Sequence, residues 1–337
     1  MSDTKLELSQ YQGGKSTLCT GCGHDSVTTQ IIKAYFESGV HPFRVAKLSG
    51  IGCSSKTPAY FMNTAHGFNS IHGRMAAVAV GAKLANAGLH VIGVSGDGDT
   101  ASIGLGGFLH LMRRNLPMVY IVENNGVYGL TKGQFSATAD EDMMTKSGEH
   151  NLFHGLDLCA LAINAGCEFV ARAFSGDAKQ LIAIIRAAIE HKGTAFIDVI
   201  SPCITYANHE GSTLSYDYVK EHKVSLQELG FTLDAKTPTA APEAGESVEI
   251  TLTSGKILRL KKLAHLEHDV RDPIAGQRVL AEAHGKHEIL TGLIYHNTQS
   301  QPLTAALGLS ETPLAGLGRA DLCPTPSQFQ KLLQGFR

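Results

Sequence analysis

A carboxylate and a pair of carboxamides follow two apolar segments at a spacing that suits a metal-bound phosphate ligand. Residues 96–99 read GDGD, and 25 residues separate the second glycine from the asparagine pair at residues 124–125. Each motif follows a predicted strand, at residues 89–95 and 118–122 respectively. The carboxyl ends of parallel strands lie at one edge of a sheet, so both motifs should meet there. Their oxygen atoms suit Mg²⁺, which shares its coordination shell with phosphates, and glycine lets the backbone approach a phosphate closely.

This spacing is similar to the thiamine-diphosphate signature, in which GDG is followed about 25 to 30 residues later by NN. A GDG motif alone is also a common turn, and the alternative is that the two motifs are unrelated turns. Their positions after two apolar strands favour one shared cofactor site. A helix predicted at residues 103–114 would add a favourable dipole for a diphosphate at its start.

The 7 cysteines suggest an iron–sulfur site rather than a disulfide scaffold. An odd number of cysteines without a signal peptide predicts a reducing cytoplasm. Cys19 and Cys22 form a CxxC motif, which zinc sites, redox dithiols and iron–sulfur clusters all use, and no second CxxC completes a zinc ribbon. Cys53 and Cys203 each follow a predicted strand, which places them at the same sheet edge as the GDGD motif. Four thiolates from three loops could therefore converge on one cluster.

The other three cysteines have different predicted roles. Cys159 lies in a helical apolar pattern and Cys167 begins a predicted strand, so both should be small buried side chains. Cys323 lies in the C-terminal tail, and it is the alternative to Cys203 as a fourth cluster ligand.

The order and spacing of several motifs resemble the β subunits of 2-oxoacid:ferredoxin oxidoreductases, particularly those of the 2-oxoglutarate type. The resemblance covers roughly residues 12–220. The sequence departs from the family at residues 106–108, which read GGF where many relatives carry GNH, and at Ala137, where proline is common. The matching motifs are residues 19–24 (CTGCGH), 49–55 (SGIGCSS), 72–74 (HGR), 96–99 (GDGD), 113–115 (RRN) and 124–134 (NNGVYGLTKGQ).

The resemblance implies that this chain holds thiamine diphosphate, Mg²⁺ and one [4Fe–4S] cluster. The implied cluster ligands are Cys19, Cys22, Cys53 and Cys203. The implied magnesium ligands are the side chains of Asp97 and Asn125 and the backbone oxygen of Val127. The residues implied to contact thiamine diphosphate are Ile51, Gly52, Cys53, Ser54, Gly96, Gly98, Asp99, Gly129 and Leu130.

Basic residues are implied to act near the reacting groups. His24 and His72 would lie near the phosphates or the reactive ring of the coenzyme. Lys56 and Arg74 would face the substrate, where either cation could meet the second carboxylate of 2-oxoglutarate.

The implied reaction is the coenzyme A-dependent oxidative decarboxylation of 2-oxoglutarate to succinyl-CoA and CO₂, with electrons passing through the cluster to ferredoxin. The same steps fix CO₂ when they run in reverse, as in a reductive TCA cycle. Because the sequence contains one GDG-type domain, a separate α subunit should supply the pyrimidine-binding domain and the activating Glu, in an (αβ)₂ assembly. The alternatives are a pyruvate:ferredoxin oxidoreductase β subunit, a non-redox thiamine decarboxylase, and a cluster-carrying electron-relay subunit without catalytic activity.

Length and composition predict a cytoplasmic α/β protein. The chain has 337 residues, 43% of them hydrophobic, and its net charge of −2 gives no electrostatic reason to expect nucleic acid. No apolar run reaches about 18 residues, so no membrane span is expected. Alternating strand and helix patterns predict a doubly wound, mostly parallel sheet of the thiamine-diphosphate-binding type, with a C-terminal extension. Residues 1–233 should form the cofactor-binding domain, and residues 234–337 a linker and a C-terminal arm.

Sequence periodicity also predicts the individual elements. Residues 125–150 are predicted to form a long loop, and loops of this length are usually either functional or disordered. The predicted helices cover residues 26–36, 74–84, 103–114, 156–165, 178–191 and 274–284. The predicted strands cover residues 43–48, 89–95, 118–122, 167–172, 195–200 and 288–295, with a hairpin at residues 247–260.

Overall fold

A mixed eight-stranded sheet forms the centre of the computed structural model, which describes residues 6–141, 143–232, 247–252, 255–262 and 268–336. The strands are β1 (Val45–Ser49), β2 (His66–Asn69), β3 (His90–Gly96), β4 (Met118–Asn124), β5 (Val127–Tyr128), β6 (Gln134–Phe135), β7 (Phe169–Phe174), β8 (Thr194–Ile200), β9 (Lys223–Ser225), β10 (Gln227–Thr232), β11 (Ser247–Thr251), β12 (Ile257–Lys262) and β13 (Ile289–His296). The α-helices are α1 (Gly23–Ser38), α2 (Met75–Ala85), α3 (Leu105–Arg114), α4 (Leu158–Asn164), α5 (Ala178–Glu190), α6 (Tyr216–His222), α7 (Pro273–Gly285), α8 (Leu303–Ala306), α9 (Arg319–Leu322) and α10 (Pro326–Gln334).

The main sheet has the strand order β2-β1-β3-β4-β8-β7-β13-β9. Its neighbouring strands are parallel, except that β13 runs antiparallel to β7. Every residue of β4 and of β8 is buried, as expected for parallel strands that are covered on both faces. The structure therefore confirms the predicted doubly wound, mostly parallel architecture.

Helices cover both faces of this sheet and create two hydrophobic cores. On one face, α1 and α5 pack against side chains that include Ile121 and Ile197. On the other face, α2, α3, α4 and α7 pack against side chains that include Tyr120 and Phe196. Because successive side chains of a strand point to opposite faces, each central strand contributes to both cores.

The observed helices and strands lie close to the predicted ones, with two differences near the cofactor motifs. A π-helical segment, Gly98–Ile103, begins within the GDG motif, and α3 follows it at Leu105. The helical turn next to the motif therefore starts earlier than predicted. Residues 125–150, predicted as a loop, contain the antiparallel pair β5 and β6, which places Phe135 opposite Val127.

The C-terminal region contributes a strand to the main sheet. β11 and β12 form an antiparallel pair that confirms the hairpin predicted at residues 247–260, and β10 adds a third strand. β13 then enters the main sheet between β7 and β9, with α7 packed against it. The predicted linker at residues 234–245 lies outside the described residues, and the predicted domain boundary remains a prediction.

The last described residues form short helices on the surface of the protein. In the described structure, α8, α9 and α10 contain no buried residue. None of the helices in the described ranges has both the length and the apolar character needed to cross a membrane.

Candidate functional site

The loops that follow β1, β3 and β4 enclose a cavity of about 450 Å³ at the carboxyl edge of the main sheet. The predicted cofactor motifs meet here because these three strands are parallel neighbours. The predicted site residues that line the cavity are His24, Ile51, Gly52, Cys53, Ser54, His72, Gly96, Asp97, Gly98, Asp99, Asn125, Val127, Gly129 and Leu130. The predicted site residues that do not line it are Cys19, Cys22, Lys56, Arg74 and Cys203.

Asp97, Asn125 and Val127 form an oxygen-rich part of this cavity. Asp97 is only 2% exposed, and burial raises the pKa of its carboxyl group, an effect that hydrogen bonds from Ser136 and Thr138 reduce. Asn125 Oδ1 accepts a hydrogen bond from the Val127 N–H at 3.0 Å. An ionised buried carboxylate needs a compensating cation, and these groups are the hard oxygen ligands that Mg²⁺ prefers. The residues therefore fit the predicted magnesium ion.

The second glycine of the GDG motif allows a close contact with an aromatic ring. A Cβ atom on Gly98 would lie 2.3 Å from the Tyr128 ring, and Tyr128 OH donates a hydrogen bond to the Gly98 carbonyl at 3.0 Å. Asp99 secures the same turn, since its Oδ1 accepts from the Gly73 N–H at 2.7 Å and its Oδ2 from Ser95 Oγ at 2.8 Å. The turn that would hold a phosphate is therefore fixed by contacts within the protein.

The four predicted cluster cysteines lie near one another beside the cavity. The thiol of Cys53 interacts electrostatically with those of Cys19 and Cys203, and the thiol of Cys22 with those of Cys53 and Cys203. A Cβ atom on Gly129 would lie 3.5 Å from Cys203 Sγ and 3.8 Å from Cys53 Sγ, so this glycine lies beside both thiols. Burial is the main reason why the pKa of Cys22 is raised to about 12.

This group of thiols differs from a site for a single metal ion. Among the described residues, no set of three or more His, Cys, Asp or Glu side chains could hold one ion. A [4Fe–4S] cluster is held by four cysteine thiolates, and each binds a different iron, so its ligands are spread more widely than those of one ion. The cysteines fit such a cluster in number and type of donor.

The remaining cysteines lie elsewhere. Cys159 and Cys167 are both 0% exposed and belong to one hydrophobic core, which confirms the prediction that they are buried side chains. Cys323 is exposed at the end of α9, in the surface tail.

A buried carboxyl group that was not predicted lies against His24 at the back of the cavity. Glu123 is 0% exposed, and burial raises its pKa well above the usual range. Thr57 Oγ1 lies 2.9 and 3.1 Å from its two oxygens, and His24 Nδ1 lies 3.7 Å from one of them and 2.6 Å from Ser201 Oγ. Burial also lowers the pKa of His24 to about 4, so its imidazole is neutral at neutral pH. The available sequence signal was a charged residue inside the apolar run before the asparagine pair.

The predicted basic residues have different positions relative to the cavity. His24 lines its buried part, and His72 is exposed at its edge. Lys56 interacts electrostatically with Cys53, and Arg74 Nη1 donates a hydrogen bond to the carbonyl of the preceding residue at 3.3 Å. The substrate-facing role of these two cations remains a prediction.

The cavity has further lining residues to which the sequence motifs assigned no role. Among them, the buried Ser70 hydroxyl has no hydrogen-bond partner within the described structure, so it can bond to a ligand. The further lining residues are Gly50, Ser55, Asn69, Ser70, Ile71, Glu123, Tyr128 and Thr131.

Comparison with protein families first defines the class of this fold and cavity. Residues 46–199 match the family model described as "Thiamine pyrophosphate enzyme, C-terminal TPP binding domain". The matched segment contains β3, β4 and nearly all of β1 and β8, together with the loops that line the cavity. The chain therefore contains a thiamine-diphosphate-binding domain.

Comparison with individual proteins defines the family more narrowly. A 2-oxoacid:ferredoxin oxidoreductase subunit beta of Saccharolobus solfataricus is 47% identical over 189 residues, which cover 56% of this chain and 62% of the relative. A 2-oxoglutarate synthase subunit KorB of Methanocaldococcus jannaschii is 40% identical over 190 residues, which cover 56% of this chain and 69% of the relative. The chain belongs to the family of 2-oxoacid:ferredoxin oxidoreductase beta subunits.

A solved structure of a related protein matches almost the whole chain. The 2-oxoglutarate:ferredoxin oxidoreductase from Magnetococcus marinus aligns with a TM-score of 0.75 and 26% identity, over 98% of this chain and 96% of that chain. That structure has 2-oxoglutarate, coenzyme A and succinyl-CoA bound. The sequence alignment is shorter than this structural alignment, since the chain spans 62% of the length of the Saccharolobus relative.

Proposed function

We propose that this chain is the β subunit of a 2-oxoglutarate:ferredoxin oxidoreductase. With a separate α subunit, the enzyme would convert 2-oxoglutarate and coenzyme A to succinyl-CoA and CO₂ and pass two electrons to ferredoxin. The observation that carries the proposal is the convergence of Asp97, Asn125 and Val127 with the Cys53 loop on one cavity. The names of the relatives support the substrate, and the class of domain supports the coenzyme.

The oxygen-rich part of the cavity would hold the magnesium ion of thiamine diphosphate. In this proposal, Asp97 and Asn125 bind the ion through their side chains, and Val127 through its backbone oxygen. The turn fixed by Asp99 and Tyr128 presents backbone next to the phosphates. When bound, thiamine diphosphate supplies an electron sink for decarboxylation of a 2-oxo acid. The contribution of this chain is to position that coenzyme and to enclose it.

The neighbouring thiols would hold one [4Fe–4S] cluster. The proposed ligands are Cys19, Cys22, Cys53 and Cys203. Burial keeps the Cys22 thiol protonated in the absence of metal, since its pKa is raised to about 12. Cluster assembly must therefore release a proton from the Cys22 thiol, so it should be favoured by higher pH.

Substrate selection and assembly complete the proposal. Lys56 or Arg74 would meet the second carboxylate of 2-oxoglutarate, which pyruvate lacks. The α subunit would supply the pyrimidine-binding domain and the activating Glu, and two αβ pairs would form the complex. Ferredoxin would accept the electrons, and the reaction would take place in the cytoplasm.

The test is an anaerobic preparation of the chain together with its partner subunit. We expect about four irons and four acid-labile sulfides for each chain, and dye reduction that requires both coenzyme A and 2-oxoglutarate. Cys203→Ser should reduce iron content and dye reduction, whereas Cys159→Ser at a buried position away from the site should leave iron content unchanged. A strong preference for pyruvate would overturn the substrate assignment. A preparation without iron would overturn the oxidoreductase, and iron without any 2-oxo acid oxidation would indicate an electron-relay subunit.

A further inference from the structure

The two asparagines of the NN pair face different parts of the protein. Asn125 lines the cofactor cavity. Asn124 instead lines a separate cavity, together with Thr138, Arg172 and Asp198. Thr138 Oγ1 lies 2.9 Å from Asp97 Oδ2 and also 2.9 Å from Asn124 Oδ1. Asn124 Nδ2 in turn donates a hydrogen bond to Asp198 Oδ1 at 3.1 Å. Asn124 is therefore connected to the proposed magnesium ligand through one threonine hydroxyl.

An ion pair continues this connection away from the site. Asp198 is 1% exposed, and its Oδ2 accepts from Arg172 Nε at 2.8 Å. Arg172 Nη2 also contacts Asp157 Oδ1 at 2.8 Å, and that oxygen accepts from the Ala160 N–H at the start of α4. Asp157 thus links the ion pair to the backbone of α4, which packs in the core that contains Tyr120 and Phe196.

The chemistry of these groups determines their orientation. Asp198 as a carboxylate only accepts hydrogen bonds, so the Asn124 amide must direct its NH₂ group to Asp198 and its oxygen to Thr138. Asp198 accepts from Asn124 Nδ2 with Oδ1 and from Arg172 Nε with Oδ2, so a separate donor holds each of its two oxygens. The Thr138 hydroxyl has one proton, which it shares between Asn124 Oδ1 and Asp97 Oδ2, so the position of the Asn124 oxygen affects the hydrogen bond to Asp97.

We infer that Thr138, Asn124, Asp198 and Arg172 are positioning residues that hold the Asp97 carboxylate in place for a divalent cation. This inference rests on the proposed function, because it assumes that Asp97 binds magnesium. Groups that orient a metal ligand are part of a metal site, and changing one of them typically weakens metal affinity by about 10- to 100-fold.

The test measures magnesium affinity in the anaerobically purified complex of the full chain and its partner subunit. Mg²⁺-dependent binding of thiamine diphosphate is followed by calorimetry, and Mn²⁺ binding by electron paramagnetic resonance. Thr138→Val and Asp198→Asn should each weaken the affinity for the metal by about 10- to 100-fold. Thr138→Ser keeps the hydroxyl and should stay close to the wild type. Because the residues act through one another, the double variant should cost no more than the larger single effect.

A matched control separates this effect from a general loss of stability. Asn115 is also a buried asparagine with side-chain hydrogen bonds, but it lies at the opposite edge of the sheet and has a positive φ of 51°, which glycine adopts easily. Asn115→Gly should lower the unfolding temperature without changing the affinity for Mg²⁺ or Mn²⁺.

The possible failures are distinguishable. If the wild-type complex binds no thiamine diphosphate in the presence of Mg²⁺, the proposed function fails. If the wild type binds it but folded Thr138→Val or Asp198→Asn has an unchanged metal affinity, the positioning inference is overturned and the proposed function stands. Simple additivity in the double variant would also overturn the inference, because it would show that the two residues act independently.

Discussion

The two edges of the main sheet both contain buried polar side chains, but a buried cluster at each edge differs in its hydrogen bonds. At the carboxyl edge, Asp97, Thr138, Asn124 and Asp198 are joined by hydrogen bonds into one chain. At the amino edge, His191 and His296 contact each other and Phe169 through their rings. His191 Nε2 and His296 Nδ1 are buried, and neither has a hydrogen-bond partner among the described residues.

This difference shows how the fold handles buried charge. Burial lowers the pKa of His191 to about 3 and that of His296 to about 4, so both rings are neutral at neutral pH. The carboxyl edge instead retains charged groups such as Asp198 and Arg172, each held by specific partners. Burial of polar groups alone therefore does not mark the proposed functional edge, since the amino edge also contains buried polar groups, among them Asn115, which is hydrogen-bonded to Glu168.

Removal of the Asp97 charge should have the largest effect, and this effect should be on the binding of thiamine diphosphate. Asp97→Asn keeps the shape but removes the negative charge that would bind Mg²⁺. We expect Mg²⁺-dependent binding of thiamine diphosphate to weaken by more than the roughly 100-fold upper range for an outer-shell change. Calorimetry on the purified complex measures this directly. Binding equal to that of the wild type would show that the magnesium ion lies elsewhere.

Breaking the buried ion pair should strongly affect stability. Arg172→Met leaves the Asp198 carboxylate buried without its cation, which should lower the free energy of unfolding by about 3–5 kcal/mol. The control is Lys179→Met, because the exposed Lys179 pairs with the exposed Glu228 at 2.5 Å, and such a surface pair contributes little to stability. Urea titrations of both variants provide the comparison. Similar losses in the two variants would refute a special role for the buried pair.

The buried His296 at the amino edge should make the stability of the protein depend on pH. His296 is 3% exposed, and its folded pKa of about 4 lies below the unfolded value of about 6.5. The unfolded chain therefore binds more protons below pH 6.5, and stability should fall as the pH drops towards 4, by up to about 3 kcal/mol for this group. His296→Phe keeps an aromatic ring and should reduce this loss. His24 has the same sign, so the informative quantity is the difference between wild type and variant across pH 4.5–7.5. A difference that stays constant across this pH range would mean that folding does not lower the pKa of His296.

The smallest effect is expected for the cysteine of the surface tail. Cys323→Ser changes an exposed position away from both edges, so the free energy of unfolding should change by no more than about 0.5 kcal/mol. Iron content should stay the same, because Cys203 rather than Cys323 is the proposed fourth ligand. Iron and sulfide analysis of this variant beside Cys203→Ser decides between the two cysteines.

The sequence predicted that the GDG turn and the asparagine pair would meet at one sheet edge, because each motif follows an apolar strand. The GDG turn after β3 and the asparagine pair after β4 had to meet once those strands were parallel neighbours. The same reasoning placed Cys53 beside the cavity. Motif spacing and strand ends were sufficient for these residues.

The supporting residues could not be predicted in the same way. Thr138 comes from a segment that was predicted as a loop, and Asp198 lies inside a strand whose neighbours are all apolar. Glu123 likewise ends an apolar run. The contacts of these three residues depend on the order of the strands in the sheet and on the direction of each side chain. A single sequence shows neither the strand order nor the side-chain direction as a local pattern. The antiparallel pairing of β13 with β7 could not be predicted for the same reason, because strand order depends on the whole chain.

The position of β13 has a consequence for how the protein is made. This strand is synthesised late, yet it lies between β7 and β9. Until it leaves the ribosome, the growing chain exposes an unpaired edge at β7, a surface that favours pairing with other chains. The main sheet is therefore complete only after residues 289–296 have been translated.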